Sequence, residues 1–175
     1  MSKLGELKEI LKKLIAIPSV TGNEHDIAIY IADYLRQCGV DSVELQPVEG
    51  NRLNVVAHLK GEKVGPVVLL TGHMDTVAPG EGWRTDPFKA TERDGRIYGR
   101  GAADMKGGIA AILVAIRNAA AQREQMRGEA IIAFVCDEEA YSKGVDALIR
   151  SGIRADYGIA AEPEWDAVIG AAGKM

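Results

Sequence analysis

The segment Val67-Val68-Leu69-Leu70-Thr71-Gly72-His73-Met74-Asp75-Thr76-Val77 decides the architecture. Its opening residues form a short, uninterrupted apolar run rich in β-branched side chains, the pattern of a strand covered on both faces, and a histidine and an aspartate follow at once. Ala130 to Cys136 repeats the pattern and is followed by Asp137, Glu138 and Glu139. A last short strand is predicted over about Tyr157 to Ala161, with Glu162 directly behind it. Between these runs, Gly107 to Ala121 (GGIAAILVAIRNAAA) lacks internal turn signals and is long enough for a helix, and Val145 to Arg150 reads as a shorter one.

Toward the N-terminus, Leu4, Leu7, Ile10, Leu11, Leu14 and Ile15 recur at helical spacing among lysines and glutamates until Pro18 closes the segment. Thr21 and Glu24 form a capping-box pattern ahead of a second helix, with Ile27, Tyr30, Ile31, Tyr34, Leu35 and Cys38 on one face and a stop at Gly39. Val43 to Val48 contains Pro47 and suits an edge strand, whereas Leu53 to Leu59 is a better strand candidate. Helices alternating with buried strands argue for a three-layer α/β sheet. No repeat, linker or low-complexity stretch interrupts it.

The 175 residues are enough for one hydrophobic core, and 47% apolar with 26% charged residues is a globular composition rather than a disordered one. The net charge of −4, without a basic stripe, argues against nucleic acid as a partner. Cys38 and Cys136 are too few for a disulfide framework and each lies in an apolar stretch, so free, buried thiols in a reducing cytoplasm are expected. The start of the chain lacks the apolar run of a signal peptide, and nothing later approaches a membrane span; secretion and membrane insertion are both disfavoured.

Ligands of open α/β sheets bind beyond the carboxyl ends of the strands, so His73, Asp75, Glu138, Glu139 and Glu162 should converge on one crevice. Asp104 joins them from the loop Gly99-Arg100-Gly101-Ala102-Ala103-Asp104 before the long helix. Carboxylates gathered in a partly buried site would protonate unless a cation neutralised them, and one histidine among several acids suits zinc or a neighbouring divalent metal. His73 and Asp75, two apart on an extended segment, point the same way, so the carboxylate can orient the imidazole. Adjacent Glu138 and Glu139 point apart, so one can ligate while the other serves as general base.

Gly72-His73-Met74-Asp75-Thr76-Val77, then Gly99-Arg100-Gly101-Ala102-Ala103-Asp104-Met105-Lys106-Gly107-Gly108, then Asp137-Glu138-Glu139, then Glu162-Pro163 together resemble the acetylornithine deacetylase and succinyl-diaminopimelate desuccinylase family. This is the group of co-catalytic zinc amidohydrolases and carboxypeptidases that contains the aminoacylases. The similarity runs from the first helix, through Ile17-Pro18-Ser19-Val20-Thr21-Gly22, almost to the end. The resemblance implies an α/β/α zinc-exopeptidase-like catalytic domain with two zinc ions, for which cobalt or manganese can substitute. His73, Asp104 and Glu162 would hold one ion, Asp104 bridging to a second held by Glu139. Asp75 would steady His73, and Glu138 would take a proton from the attacking water and deliver it to the leaving amine. The reaction implied is hydrolysis of the amide of an N-acyl amino acid or small peptide.

Family members are much longer, inserting a lid or dimerisation domain after the Glu-Pro motif and then returning to finish the catalytic domain with a second histidine. This chain stops at Gly170-Ala171-Ala172-Gly173-Lys174-Met175, and its other histidines, His25 and His58, lie in a helix start and an early strand. Residues 1–175 are therefore expected to be the N-terminal part of the catalytic domain, truncated before the lid, binding one ion better than two and inactive alone. The alternative is a non-catalytic metal-binding fragment or one half of a split assembly, completed by a homodimer contact or a complementing C-terminal segment. Lys106 reads as a solvent-exposed or salt-bridging residue, Cys136 as core, and the glycine-rich stretch lacks the lysine-serine of a phosphate loop.

Overall fold

A computed structural model describes residues 2–163. The end of the chain, including Gly170 to Met175, lies outside the described residues. Helices α1 (Lys3–Ala16) and α2 (His25–Gln37) precede strands β1 (Ser42–Glu49), β2 (Arg52–Lys60) and β3 (Lys63–His73). A small hairpin, β4 (Thr91–Arg93) and β5 (Arg96–Tyr98), leads into α3 (Lys106–Ala120). Then come β6 (Arg127–Val135), α4 (Lys143–Arg150) and β7 (Tyr157–Ala160).

The main sheet runs β1-β2-β6-β3-β7, with β1 and β2 antiparallel and β6, β3 and β7 parallel. Helices α1 to α3 cover one face and α4 the other, completing the three expected layers. The larger core lies on the three-helix face, where Leu14, Ile31, Leu35, Leu113 and Phe134 are fully buried. Pro47 sits on the edge strand β1 beside a register shift, where a missing N–H costs no ladder bond.

β6 is buried on both faces, as its apolar run predicts, but β3 is less covered: Val67 to Leu70 are only half-buried. Among the described residues β7 is the outermost strand, and its Tyr157 and Ile159 remain 66% and 55% exposed.

Three local expectations are overturned. Thr21 and Glu24 do not form a capping box: Glu24 itself occupies the cap position of α2 without a side-chain cap bond, because both side chains are engaged by more distant partners. Lys106 is not exposed, and it has no salt bridge among the described residues. It is fully buried, and its Nζ donates to the carbonyls of Leu14 (2.9 Å) and Ile17 (2.8 Å), tying α3 to the end of α1, where a cation suits the helix dipole. Burial pulls its ammonium down to about 8. Thirdly, Cys38 is only half-buried, whereas Cys136 is wholly core, its thiol pushed up to about 12 chiefly by burial.

Gly108, in the first turn of α3, leaves space for the segment that follows β7. A Cβ there would lie 2.1 Å from the carbonyl oxygen of Ala161, next to Glu162. Alanine is favoured over glycine by about 1 kcal/mol inside a helix. The backbone overlap outweighs that gain, and Gly108→Ala is expected to destabilise the fold by roughly 1–3 kcal/mol. A melting curve of the variant at or above the parent's would show that Ala161 yields without cost.

Candidate metal centre

Because β3, β6 and β7 run parallel, their carboxyl ends lie on one side of the sheet, and His73 pairs in register with Val135. The chain then leaves each strand with an ionisable side chain. His73 is 2% exposed, its backbone N–H donating to Met105 Sδ at 3.0 Å. Its Nδ1 lies 2.9 Å from the carbonyl oxygen of Asp75, which can only accept, so Nδ1 carries a ring hydrogen. Nε2 is left facing the crevice.

Around Nε2 stand Asp104 Oδ1 at 3.0 Å, Glu138 Oε2 at 3.8 Å and Glu162 Oε2 at 3.8 Å. Ligand atoms of His73, Asp104 and Glu139 all lie within 4.8 Å of one another. Both glutamates of the Asp137-Glu138-Glu139 turn thus approach the crevice, rather than pointing to opposite sides as strict alternation would have it. Asp104 arrives from the turn that opens α3; the Asp104–Met105 peptide is cis.

The Asp75 carboxylate lies 3.6 Å from His73 Nδ1, yet its hydrogen bonds go elsewhere. It accepts from Thr21 Oγ1 (2.9 Å), the Glu138 N–H (3.0 Å) and the Glu139 N–H (3.1 Å), so it holds the turn that carries the glutamates. Despite burial, which opposes ionisation, these donors and the imidazole hold Asp75 below the usual carboxylate range. Burial likewise pulls His73 down, but Asp75 and Glu162 outweigh it and raise the imidazole to about 9. Burial and neighbouring acids push the Glu139 and Glu162 carboxyls up against the opposing pull of His73.

Among the described residues no lysine or arginine pairs with Asp104, Glu138, Glu139 or Glu162. Four carboxyl groups facing one imidazole form a field short of positive charge, and one nitrogen with several oxygens is a donor set for a zinc-like divalent ion. The residues fit such an ion.

His25 is on the surface beside Asp26, and His58 contacts Glu129 at the far end of β6, so neither reaches the crevice. Sequence reasoning missed Thr21 as a ligand-turn support, and it missed the buried partners of Asp137 discussed below. Trp83 lies under the Arg100 guanidinium at 5.5 Å, in the loop between β3 and β4.

Residues 69–173 match the family model described as Peptidase family M20/M25/M40. The succinyl-diaminopimelate desuccinylase of Bordetella avium (strain 197N) is 38% identical over 162 residues, covering 89% of this chain and 42% of that protein. The chain therefore spans less than half the length of this relative. Human carnosine dipeptidase 1 superposes with a TM-score of 0.78 at 26% identity, covering 92% of this chain and 39% of that one. The M20 family metallo-carboxypeptidase Sso-CP2 from Sulfolobus solfataricus gives 0.78 at 25% identity, covering 89% and 37%. The Bacillus subtilis YXEP protein, a dinuclear metal binding peptidase, shares the fold at 21% identity and a TM-score of 0.65, covering 86% and 40%.

Proposed function

Because the chain belongs to peptidase family M20/M25/M40, we propose that it is the N-terminal part of a catalytic domain that hydrolyses the amide of an N-acyl amino acid or small peptide, with zinc as its metal. The observation that carries this reading is the convergence of His73, Asp104, Glu138, Glu139 and Glu162 beyond the ends of three parallel strands, with no lysine or arginine among the described residues paired to the acids. His73, Asp104 and Glu162 would hold one ion, and Asp104 and Glu139 would hold part of a second. The metals would polarise the scissile carbonyl and make water nucleophilic at neutral pH.

The chain's own residues have separable tasks in this reading. Glu138 would accept a proton from water and pass it to the departing amine nitrogen. Asp75 would fix the Glu138 and Glu139 amides, and the Asp75 carbonyl would fix the ring orientation of His73. Lid and C-terminal parts of the catalytic domain would lie beyond this chain, an arrangement supported by its coverage of 42% of the desuccinylase. The position of β7 as the outermost strand among the described residues supports pairing there with such a segment or with a second copy. No helix among the described residues is long and apolar enough to cross a membrane.

The test is metal analysis after dialysis, joined to an assay of N-succinyl amino acid hydrolysis. One divalent ion should be retained more tightly than a second, because the sequence offers only His25, His58 and His73 and the Glu139 side has no imidazole of its own. Two ions held equally tightly by a monomer would refute that ordering. Retention of no ion at all would refute the metal centre, and metal binding whose turnover appears only when a complementing segment is supplied would select the split-assembly reading.

A further inference from the structure

Directly behind the glutamate turn, three charged side chains are packed out of solvent. Arg52, at the start of β2, has a side chain 11% exposed; Glu24 is 0% and Asp137 is 1% exposed. Arg52 forks onto Glu24, with Nε to Oε2 at 2.9 Å and Nη2 to Oε1 at 2.5 Å, and the same Nη2 donates to Asp137 Oδ1 at 2.8 Å. Glu24 also accepts from the Gly22 N–H (3.1 Å) and the Asp137 N–H (3.3 Å).

Asp137 is the residue through which this cluster reaches the site. Its φ of 68° places it in the left-handed region, which a residue with a Cβ occupies only when its surroundings impose it. Those surroundings are visible. Oδ1 takes Arg52, Oδ2 takes the Lys143 N–H at 3.1 Å, and the backbone carbonyl accepts from the amides of Ala140, Tyr141 and Ser142. The next amides along the chain, those of Glu138 and Glu139, are the ones that bind the Asp75 carboxylate. The turn is therefore gripped from both sides, by Asp75 on the crevice side and by Arg52 and Glu24 on the inner side.

We propose that Arg52 is a positioning residue for the candidate metal centre: by holding Glu24 and Asp137 together it sets the turn that presents Glu138 and Glu139. The proposal rests on the roles given above to those two glutamates. A buried ion cluster is not needed for stability as such, since well-packed apolar residues often serve as well or better. What it supplies here is a planar guanidinium with donors in fixed directions, able to serve two carboxylates at once. A lysine keeps the charge but lacks that fork.

The experiment compares Arg52→Lys and Glu24→Gln with Ile116→Ala, a cavity-forming change in the middle of α3 at a side chain 2% exposed. Amide hydrogen exchange is measured by NMR on the metal-free chain, and Co(II) affinity is measured by titration. In Arg52→Lys the Glu138, Glu139 and Lys143 amides should exchange roughly 10-fold or more faster relative to the β6 amides, the size of losing a hydrogen bond to a charged group. Co(II) should bind roughly 10- to 100-fold more weakly, as when a residue behind a metal ligand is lost. Ile116→Ala should speed exchange throughout the core without singling out the turn. If Arg52→Lys does not fold, Glu24→Gln carries the same expectation.

Exchange in the turn that keeps pace with β6, together with parental Co(II) affinity, would overturn the proposal. A parental chain that takes no Co(II) would instead overturn the metal reading, and the exchange comparison would still decide whether Arg52 sets the turn.

Discussion

Replacing Glu138 by glutamine is expected to lower turnover by about 10²- to 10⁴-fold in an active preparation while leaving metal content nearly unchanged. The variant keeps the size of the side chain and the Glu138 N–H bond to Asp75, so the turn should not move. It removes only the ability to accept a proton. In the proposed reading Glu138 takes that task because its carboxylate reaches into the crevice, 3.8 Å from His73 Nε2, and stays partly open to solvent, whereas Glu139, whose carboxylate lies within 4.8 Å of ligand atoms of His73 and Asp104, would serve as a ligand of the second ion. Steady-state kinetics and metal analysis on the same sample separate the roles. A near-parental rate would move the base to another carboxylate, and a parallel loss of metal would make Glu138 a ligand.

His73→Ala should have a comparable effect on metal binding, weakening the tightest divalent site by more than about 100-fold. Loss of a residue that merely orients a ligand commonly costs 10- to 100-fold, and the ligand itself must cost more. No other histidine can substitute, since His25 and His58 are held at Asp26 and Glu129. The same change removes the only cationic group facing Asp104, Glu138 and Glu162 among the described residues, so the metal-free variant should also melt below the parent. Competition titration with a chromogenic chelator measures the affinity. Unchanged affinity would place the principal site elsewhere.

Much of this arrangement was legible in the residue order because the ligand-bearing positions directly follow apolar runs. A run such as Ala130 to Val135 can only be a buried strand or a short buried helix. The abrupt switch to Asp137-Glu138-Glu139 marks where it leaves the sheet. The burial of Lys106 was not legible, since the carbonyls that receive it belong to Leu14 and Ile17, about ninety positions away in sequence. Thr21 and Glu24 illustrate a different ambiguity. The residue types that cap a helix locally are those that bind a distant carboxylate or guanidinium, and here Asp75 and Arg52 claim them. The β4–β5 hairpin was overlooked although Asp94-Gly95 announces it. Both residues adopt positive φ, 52° and 72°, as a tight hairpin turn requires.

The weak attachment of β7 has a thermodynamic consequence for the crevice. His73, Glu138 and Glu139 leave strands embedded in the sheet, but among the described residues Glu162 follows a strand paired on one side only, through the four residues Tyr157 to Ala160. Any ion that engages Glu162 and His73 together would act as a clasp between β7 and β3. Part of its binding free energy would be consumed in ordering that strand. By linkage, whatever polypeptide completes the open edge of β7 would raise the affinity for the ion, and the ion would raise the affinity for that polypeptide by the same factor. Assembly of the sheet and loading of the centre would in that sense be one equilibrium.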